Sequence, residues 1–92
     1  MKRPNILLIM TDQFRYDATG INGGWVKTPN LDRIANEGIN FSNCFTNAPL
    51  CIPARISMAT GLYPHNTNVW KNIFYDLPDK YPTWTNIIKN NG

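Results

Sequence analysis

The stretch "NILLIMTD", which runs from Asn5 to Asp12, decides the fold class that this sequence predicts. Ile6 to Met10 are apolar without interruption, so the run lacks the alternation of a half-buried strand. A continuous apolar run of this length is typical of a strand that is buried on both faces, as in a parallel sheet. Such a strand needs neighbouring strands and a layer of helices on each face. The sequence therefore predicts an α/β fold.

The segment after the first loop predicts a helix and then a second strand. "TPNLDRIANEG" has Thr28 as a candidate N-cap, Pro29 at the first helical position and Gly38 as the C-terminal stop. "INFSNCF", Ile39 to Phe45, alternates large and polar side chains in the manner of a strand.

A second helix is predicted from Pro53 to Ala59, with a stop near Gly61. Proline is favoured at the start of a helix because its missing N–H is not needed there. The residue before proline is disfavoured in the helical region, so Ile52 is expected to lie outside this helix.

The last part of the chain predicts an irregular segment from Tyr63 to Pro82 and a third helix, "WTNIIKN". Thr83 is the candidate cap of that helix, and Asn91-Gly92 ends it. Two strands and three short helices barely cover a strand that is buried on both faces. The order of elements therefore favours the opening of a larger α/β domain, of which residues 1–92 are an incomplete N-terminal segment.

Composition excludes several classes of protein. The chain has 92 residues, a net charge of +3 and 42% apolar residues, which suits one globular unit with a modest core. The basic residues are scattered, so nucleic-acid binding is not expected. No apolar segment reaches the roughly 18 residues of a membrane span, and no cleavage site follows the first apolar run. We expect a cytoplasmic protein, or a periplasmic or secreted one if a leader is removed.

Two cysteines, Cys44 and Cys51, are too few for a disulfide framework, and a single bridge between them is the minor alternative. Neither a CxxC pair nor a histidine cluster indicates zinc.

Asp12 is a candidate metal ligand because it follows the first predicted strand. Ligands bind at the carboxyl ends of strands in open α/β sheets. The Asp12 carboxylate and the neighbouring Gln13 amide offer hard oxygen ligands for Mg²⁺, Ca²⁺ or Mn²⁺. The alternative is a loop aspartate that caps a turn.

The stretch "PLCIPARISMATG", Pro49 to Gly61, places a cysteine and an arginine around a predicted helix start. The free N–H groups of a helix N-terminus favour a negative charge, either a Cys51 thiolate or a bound anion. The Arg55 guanidinium can grip a tetrahedral anion such as sulfate or phosphate. For either residue alone, a structural cysteine or a surface arginine is the commoner explanation.

The combined pattern resembles the signature of the formylglycine sulfatases, C-x-P-[SA]-R-x(4)-TG. Three further stretches are similar to the same family, so the resemblance covers nearly the whole chain: "NILLIMTDQ", "TPNLDRIANEGINFSNCF" and "TGLYPHNTNV". Members of that family are several times longer. The resemblance implies an alkaline-phosphatase-like mixed sheet flanked by helices.

The resemblance also implies a sulfuric ester hydrolase. A separate maturation enzyme would convert Cys51 to formylglycine (3-oxoalanine), whose hydrated aldehyde attacks the sulfur of a sulfate ester, from a small molecule or a sulfated sugar. The alcohol of the ester would leave, and the second hydroxyl of the hydrate would then drive release of sulfate and restore the aldehyde. Arg55 would orient the formylglycine and offset anionic charge. Asp12, Gln13 and Cys51 would bind a divalent cation, with Ca²⁺ ahead of Mg²⁺ or Mn²⁺.

Some positions depart from the family pattern. Many sulfatases have Asp-Asp where this chain has Asp12-Gln13, and this form, with "PAR", also resembles phosphonate monoester hydrolases of the same superfamily. A phosphonate monoester or phosphodiester hydrolase is therefore an alternative.

Asn68 stands where glycine is frequent. The family's other metal ligands come later in its chains, so this segment alone is expected to be inactive, and a non-catalytic module that binds a partner chain is the third alternative.

Other residues are weaker candidates. His65 is the only histidine, a residue type that can protonate a leaving alcohol near neutral pH, although a hydrogen bond within its loop is the commoner role. Arg15 and Asp17 are either pocket residues or solvated loop charges. Several aromatic residues would suit an aryl or sugar site, although packing is their commoner fate: Trp25, Trp70, Trp84, Phe74 and Tyr75.

Overall fold

Helices and short turns make up the regular structure of residues 3–91, the part of the chain that this computed structural model describes. The chain divides after Ser42 into two compact units. Four α-helices follow one another within the described residues: α1 Pro29–Glu37, α2 Cys51–Thr60, α3 Pro64–Thr67 and α4 Trp84–Asn90. Two single 3-10 turns, Tyr16–Ala18 and Gly20–Asn22, precede α1.

The two predicted strands are not formed, which corrects the sequence-based expectation. Asn5 to Asp12 and Ile39 to Phe45 carry no strand, and residues 3–91 hold only an isolated parallel bridge between Thr19 and Val26. The side chains of Ile6 to Met10 are 45–84% exposed instead of buried. A strand forms only when a neighbour accepts and donates its backbone hydrogen bonds. Neither segment meets such a neighbour within the described residues.

In the first unit, one carboxylate fastens the loop before α1 to that helix. The Ile21 N–H donates to Asp32 Oδ1 at 2.9 Å, and the Thr28 hydroxyl donates to the same oxygen at 2.8 Å. Thr28 Oγ1 in turn accepts from the Gly20 N–H at 2.9 Å. Thr28 occupies the predicted N-cap position, but its hydroxyl is used across the loop and does not cap α1. The predicted Pro29 start is confirmed.

The C-terminal stop of α1 at Gly38 is also confirmed, because the Gly38 N–H donates to the Ile34 carbonyl at 2.9 Å.

The loop at residues 18–26 closes on itself so tightly that it requires a glycine. The Gly24 N–H donates to the Thr19 carbonyl at 2.9 Å, and the Val26 N–H donates to the Ala18 carbonyl at 3.0 Å. A Cβ atom at position 24 would lie 2.2 Å from the backbone of Ala18. That distance is well inside van der Waals contact, so only glycine fits. Ala18, at the start of this loop, is buried.

In the second unit, α2 begins at Cys51, two residues before the predicted start at Pro53. Leu50 has extended backbone angles, and its carbonyl accepts the first helical bond from the Ala54 N–H at 3.0 Å. Pro53 fits inside this first turn because N–H groups there have no partner within the helix. Ile52 is therefore helical, against the prediction.

The end of α2 at Gly61 is confirmed. Gly61 has φ 72°, the left-handed conformation that glycine adopts without cost, and its N–H donates to the Ser57 carbonyl at 2.8 Å.

The segment predicted to be irregular contains the short helix α3, which sequence reasoning missed. Two tyrosine hydroxyls hold it: Tyr75 donates to the Thr67 carbonyl at 3.4 Å, and Tyr81 donates to the Asn66 carbonyl at 3.0 Å. Thr67 and Val69 are only 1% and 3% exposed. They belong to the small core of the second unit, which explains how four residues can stay helical.

The last helix agrees with its prediction. Thr83 Oγ1 accepts from the Asn86 N–H at 3.3 Å, so the threonine caps α4, and Asn91 is the C-cap. Gly92, the other part of the predicted stop, lies outside the described residues. None of the helices in residues 3–91 has the length and apolar character needed to cross a lipid bilayer.

Candidate functional site

Cys51 is the first residue of α2, and its side chain is exposed. The positive end of the helix dipole and the N–H groups of the first turn lie at this position, and both favour negative charge. Cys44 and Cys51 are both free thiols, so the alternative of a bridge between them is not formed. The chain thus presents one accessible thiol at a helix N-terminus.

Arg55 lies one helical turn after Cys51, in the second turn of α2; a helix that began at Pro53 would have placed it in the first turn. Residues four apart lie on the same face of an α-helix. The exposed Arg55 side chain therefore shares a face with Cys51. The structure brings these two predicted site residues together on one rigid element.

Asn72 contacts the same helix start, and sequence reasoning missed it. Its Oδ1 atom accepts a hydrogen bond from the Ile52 N–H at 2.9 Å. The two residues are twenty positions apart, and Asn72 stands in a segment without regular structure. No local pattern in the sequence distinguishes this asparagine from the many others, so only the folded chain shows the contact.

Asp12 and Gln13 are consecutive and exposed, and they belong to the first unit, whereas Cys51 and Arg55 belong to the second. Gln13 has φ 49°, the left-handed conformation that is uncommon outside glycine and often occurs at functional sites. A carboxylate and an amide oxygen suit a hard cation such as Ca²⁺. Within residues 3–91 no three His, Cys, Asp or Glu side chains gather as a metal site. The role of Asp12 and Gln13 as metal ligands therefore stays a prediction.

Arg15 and Asp17 pair with each other, which favours the reading as loop charges. The Arg15 Nε donates to Asp17 Oδ1 at 2.9 Å, and Arg15 also lies over the Trp25 ring, 5.6 Å from its centre. The hydrogen bond from Arg15 lowers the pKa of the Asp17 carboxyl and raises the pKa of the guanidinium. The Trp25 side chain is nevertheless 70% exposed, and its role in an aryl or sugar site stays a prediction.

His65 lies in α3, and its ring stacks on the Tyr63 ring with the centres 5.7 Å apart. Its side chain is exposed. This contact gives the histidine a packing partner, and its role in proton transfer stays a prediction.

Comparison with known proteins identifies the relatives of this chain. The sequence model of the Sulfatase family matches residues 4–92. Arylsulfatase K of Xenopus laevis is 36% identical over 98% of this chain and 17% of its own length. The ulvan-active sulfatase of Formosa agariphila is 43% identical over 98% of this chain and 18% of its own. An arylsulfatase of Clostridium perfringens is 52% identical over 65% of this chain and 13% of its own.

The chain thus spans less than a fifth of the length of these relatives. No solved structure matches it significantly.

Proposed function

Because this chain belongs to the sulfatase family, we propose that the protein that carries it hydrolyses sulfate esters with a nucleophile derived from Cys51. The observation that carries the proposal is the placement of Cys51 at the first position of α2 with Arg55 one turn behind it. A thiol precursor and a cation on one face of one helix suit an anionic tetrahedral substrate.

Cys51 is the proposed site of conversion to formylglycine. Its exposure leaves the side chain accessible to a separate maturation enzyme, which would be the first partner of this chain. After conversion, the residue supplies a hydrated aldehyde whose hydroxyl serves as the nucleophile toward sulfur.

Arg55 has the proposed role of holding the residue at position 51 and the substrate anion. The guanidinium offers five N–H donors in a fixed plane, which match the oxygens of a sulfate group. The rigid backbone of α2 fixes the spacing between the Cα atoms of residues 51 and 55. The positive end of the helix dipole adds to the attraction of an anion at the same end.

Asp12 and Gln13 are the proposed holders of a divalent cation, together with residue 51 after conversion. Their oxygen donors fit Ca²⁺, with Mg²⁺ and Mn²⁺ as alternatives, but Ca²⁺ takes six to eight ligands in all. Further ligands would come from other parts of the longer protein. When bound, such a cation lowers the pKa of a coordinated hydroxyl and offsets negative charge on the substrate.

The exposed apolar run at Ile6 to Met10 supports a proposal about the fold. We propose that Asn5 to Asp12 forms a strand of an alkaline-phosphatase-like mixed sheet when the rest of a sulfatase domain is present. Residues 1–92 would then be the N-terminal segment of that single domain. Five consecutive large apolar side chains are exposed to water here, which favours their burial against other parts of the longer protein.

The proposed substrates are sulfate esters of small alcohols or sulfated sugars. The names of two relatives, an arylsulfatase and an ulvan-active sulfatase, support these two classes. The alternative is a phosphonate monoester or phosphodiester hydrolase, which is favoured by the neutral amide of Gln13 beside Asp12. One less negative charge at the cation changes the preference among anionic substrates.

Comparing the full-length protein, produced with a maturation enzyme, on an aryl sulfate and an aryl phosphonate tests the proposal. We expect kcat/KM to be higher for the aryl sulfate. The opposite order would establish the alternative. Turnover of neither substrate, by a protein whose residue 51 is converted, would favour the third candidate, a non-catalytic module that binds a partner chain.

A further inference from the structure

We infer that Asn72 is a positioning residue that fixes the first turn of α2 and, through it, the orientation of residue 51. The inference rests on the proposed function, since it assigns Asn72 a role in the reaction at that residue. The inference is based on the 2.9 Å hydrogen bond from the Ile52 N–H to Asn72 Oδ1, which joins residues twenty positions apart in the sequence.

The first turn of α2 has few other means of being held. Leu50, the N-cap residue, has no side-chain acceptor for the N–H groups that follow it. Pro53 has no N–H at all. The Asn72 side chain therefore performs, from a distant segment, the function that a serine or aspartate cap performs locally.

The bonded N–H belongs to the peptide group that joins residue 51 to Ile52. That group is planar, so an acceptor held on its N–H restrains rotation about the Cα–C bond of residue 51. The Asn72 contact thus fixes the backbone on the C-terminal side of residue 51, while the rest of α2 holds Arg55. A reacting group that is misplaced by even a small distance loses rate.

The segment that carries Asn72 is itself anchored on both sides. Val69, three residues before it, is 3% exposed, and Tyr75, three residues after it, donates its hydroxyl hydrogen to the Thr67 carbonyl. The Trp70 side chain lines a cavity of about 100 Å³ together with Leu50 and Pro53. These contacts hold Asn72 beside the helix start.

An asparagine suits this place because its oxygen accepts a hydrogen bond without a net charge. An aspartate would accept the same hydrogen bond from the Ile52 N–H, but it would place a negative charge beside residue 51, where the anionic substrate is proposed to react. Two negative charges that close together repel each other. The substitution Asn72→Asp therefore separates the hydrogen bond from the charge.

The experiment uses the full-length protein, produced with a maturation enzyme, in wild-type form and as Asn72→Ala, Asn72→Asp and Asn90→Ala. Asn90 is an exposed asparagine of α4 in the same unit and serves as the matched control. For each protein, kcat and KM are measured on an aryl sulfate and referred to the fraction of residue 51 converted. Hydrogen exchange of residues 50–55 is followed by mass spectrometry.

In Asn72→Ala we expect faster exchange of the Ile52 amide and a kcat about five- to ten-fold lower, with KM within two-fold of the wild-type value. In Asn72→Asp we expect kcat to return to within about three-fold of wild type while KM rises several-fold. Asn90→Ala should match the wild type in every measurement. The Asn72→Asp variant also guards against a folding defect, because it keeps the acceptor.

Three outcomes would overturn the inference. An unchanged kcat in Asn72→Ala, with faster exchange at Ile52, would leave Asn72 as a purely structural cap. An unchanged exchange rate of the Ile52 amide in Asn72→Ala would show that the hydrogen bond to Asn72 does not protect this amide in solution. A converted wild-type protein that turns over no sulfate ester would overturn the proposed function, and the positioning role with it. Turnover by the converted wild-type protein distinguishes this last case from the other two, and the exchange measurement distinguishes those two from each other.

Discussion

Cys51 and Arg55 lie one turn apart on the same face of α2, with the cysteine at the first position of the helix. The helix begins two residues earlier than its proline indicates, so the cysteine belongs to the helix and does not merely precede it. A rigid backbone therefore sets the spacing between the Cα atoms of the proposed nucleophile precursor and of the arginine on the same face.

Replacing Cys51 by alanine should abolish turnover of an aryl sulfate by the full-length protein, with a loss of roughly a thousand-fold or more, because the side chain supplies the nucleophile. The far-UV circular dichroism spectrum should not change, since the Cys51 side chain is exposed. Cys44→Ala, which removes the other exposed thiol, is the control and should keep its activity. Retained turnover in Cys51→Ala would exclude a nucleophile derived from Cys51.

The peptide that contains Leu50 to Arg55 should lose about 18 Da when a maturation enzyme is co-expressed, since a thiol becomes an aldehyde. Peptide mass spectrometry of the purified protein measures this change. The peptide that contains Cys44 should keep its unmodified mass in the same sample. An unmodified Cys51 under these conditions would count against formylglycine chemistry.

Asp12→Asn should raise the dissociation constant for Ca²⁺ by at least roughly ten-fold, because a charged oxygen ligand is replaced by a neutral one. Calorimetric titration of the full-length protein with Ca²⁺ measures the change. Gln13→Asp adds a charge at the neighbouring position and should tighten binding. Asp79→Asn, in a loop of the second unit, is the control. Equal affinities in Asp12→Asn and wild type would exclude Asp12 as a ligand.

Asn68→Ala should lower the free energy of unfolding by about 1 kcal/mol, because Asn68 has φ 59° and alanine tolerates the left-handed conformation poorly. Asn68→Gly should change it by less than about 0.5 kcal/mol, since glycine adopts this conformation freely. Urea denaturation compares the two variants. If both destabilise equally, the hydrogen bond from Trp70 Nε1 to Asn68 Oδ1 is the more important contribution.

The Asp17 carboxyl should titrate below its ordinary value of about 3.9, since the Arg15 hydrogen bond lowers its pKa. The pair's contribution to stability is then present above the ordinary value and is lost as the pH falls through the lowered pKa. Carbon-13 NMR of the carboxyl measures its titration midpoint.

The variant Arg15→Gln should raise the Asp17 midpoint toward the ordinary range. Arg33→Gln is the control, because Arg33 pairs with Glu37 and not with Asp17. Identical Asp17 midpoints in wild type and Arg15→Gln would show that the pair does not form in solution.

The sequence predicted the helices where local chemistry determines them. Pro29 and Gly38 bound α1, and Thr83 caps α4, because capping and proline effects act within a few residues. The start of α2 was wrong by two residues because a proline is tolerated throughout the first turn and not only at its first position. The sequence pattern alone therefore does not decide which residue of the first turn begins the helix.

The strands and the site contacts could not be predicted in the same way, because they depend on distant partners. Asn5 to Asp12 has the composition of a buried strand, but composition does not supply the neighbour that a strand needs. The bond between Ile52 and Asn72 joins positions twenty residues apart, and periodicity carries no information on it. The closeness of Cys51 and Arg55 along the chain was predictable from their spacing, but the sequence placed Cys51 before the helix, whereas the structure makes it the first helical residue.

The tight loop around Gly24 has a genetic consequence. Every change at the first or second position of a glycine codon that does not introduce a stop yields an amino acid with a Cβ atom, and such an atom would lie 2.2 Å from the Ala18 backbone. Changes at the third position are silent. The codon for residue 24 can therefore drift in its last base alone, and every inherited missense variant there must open the loop.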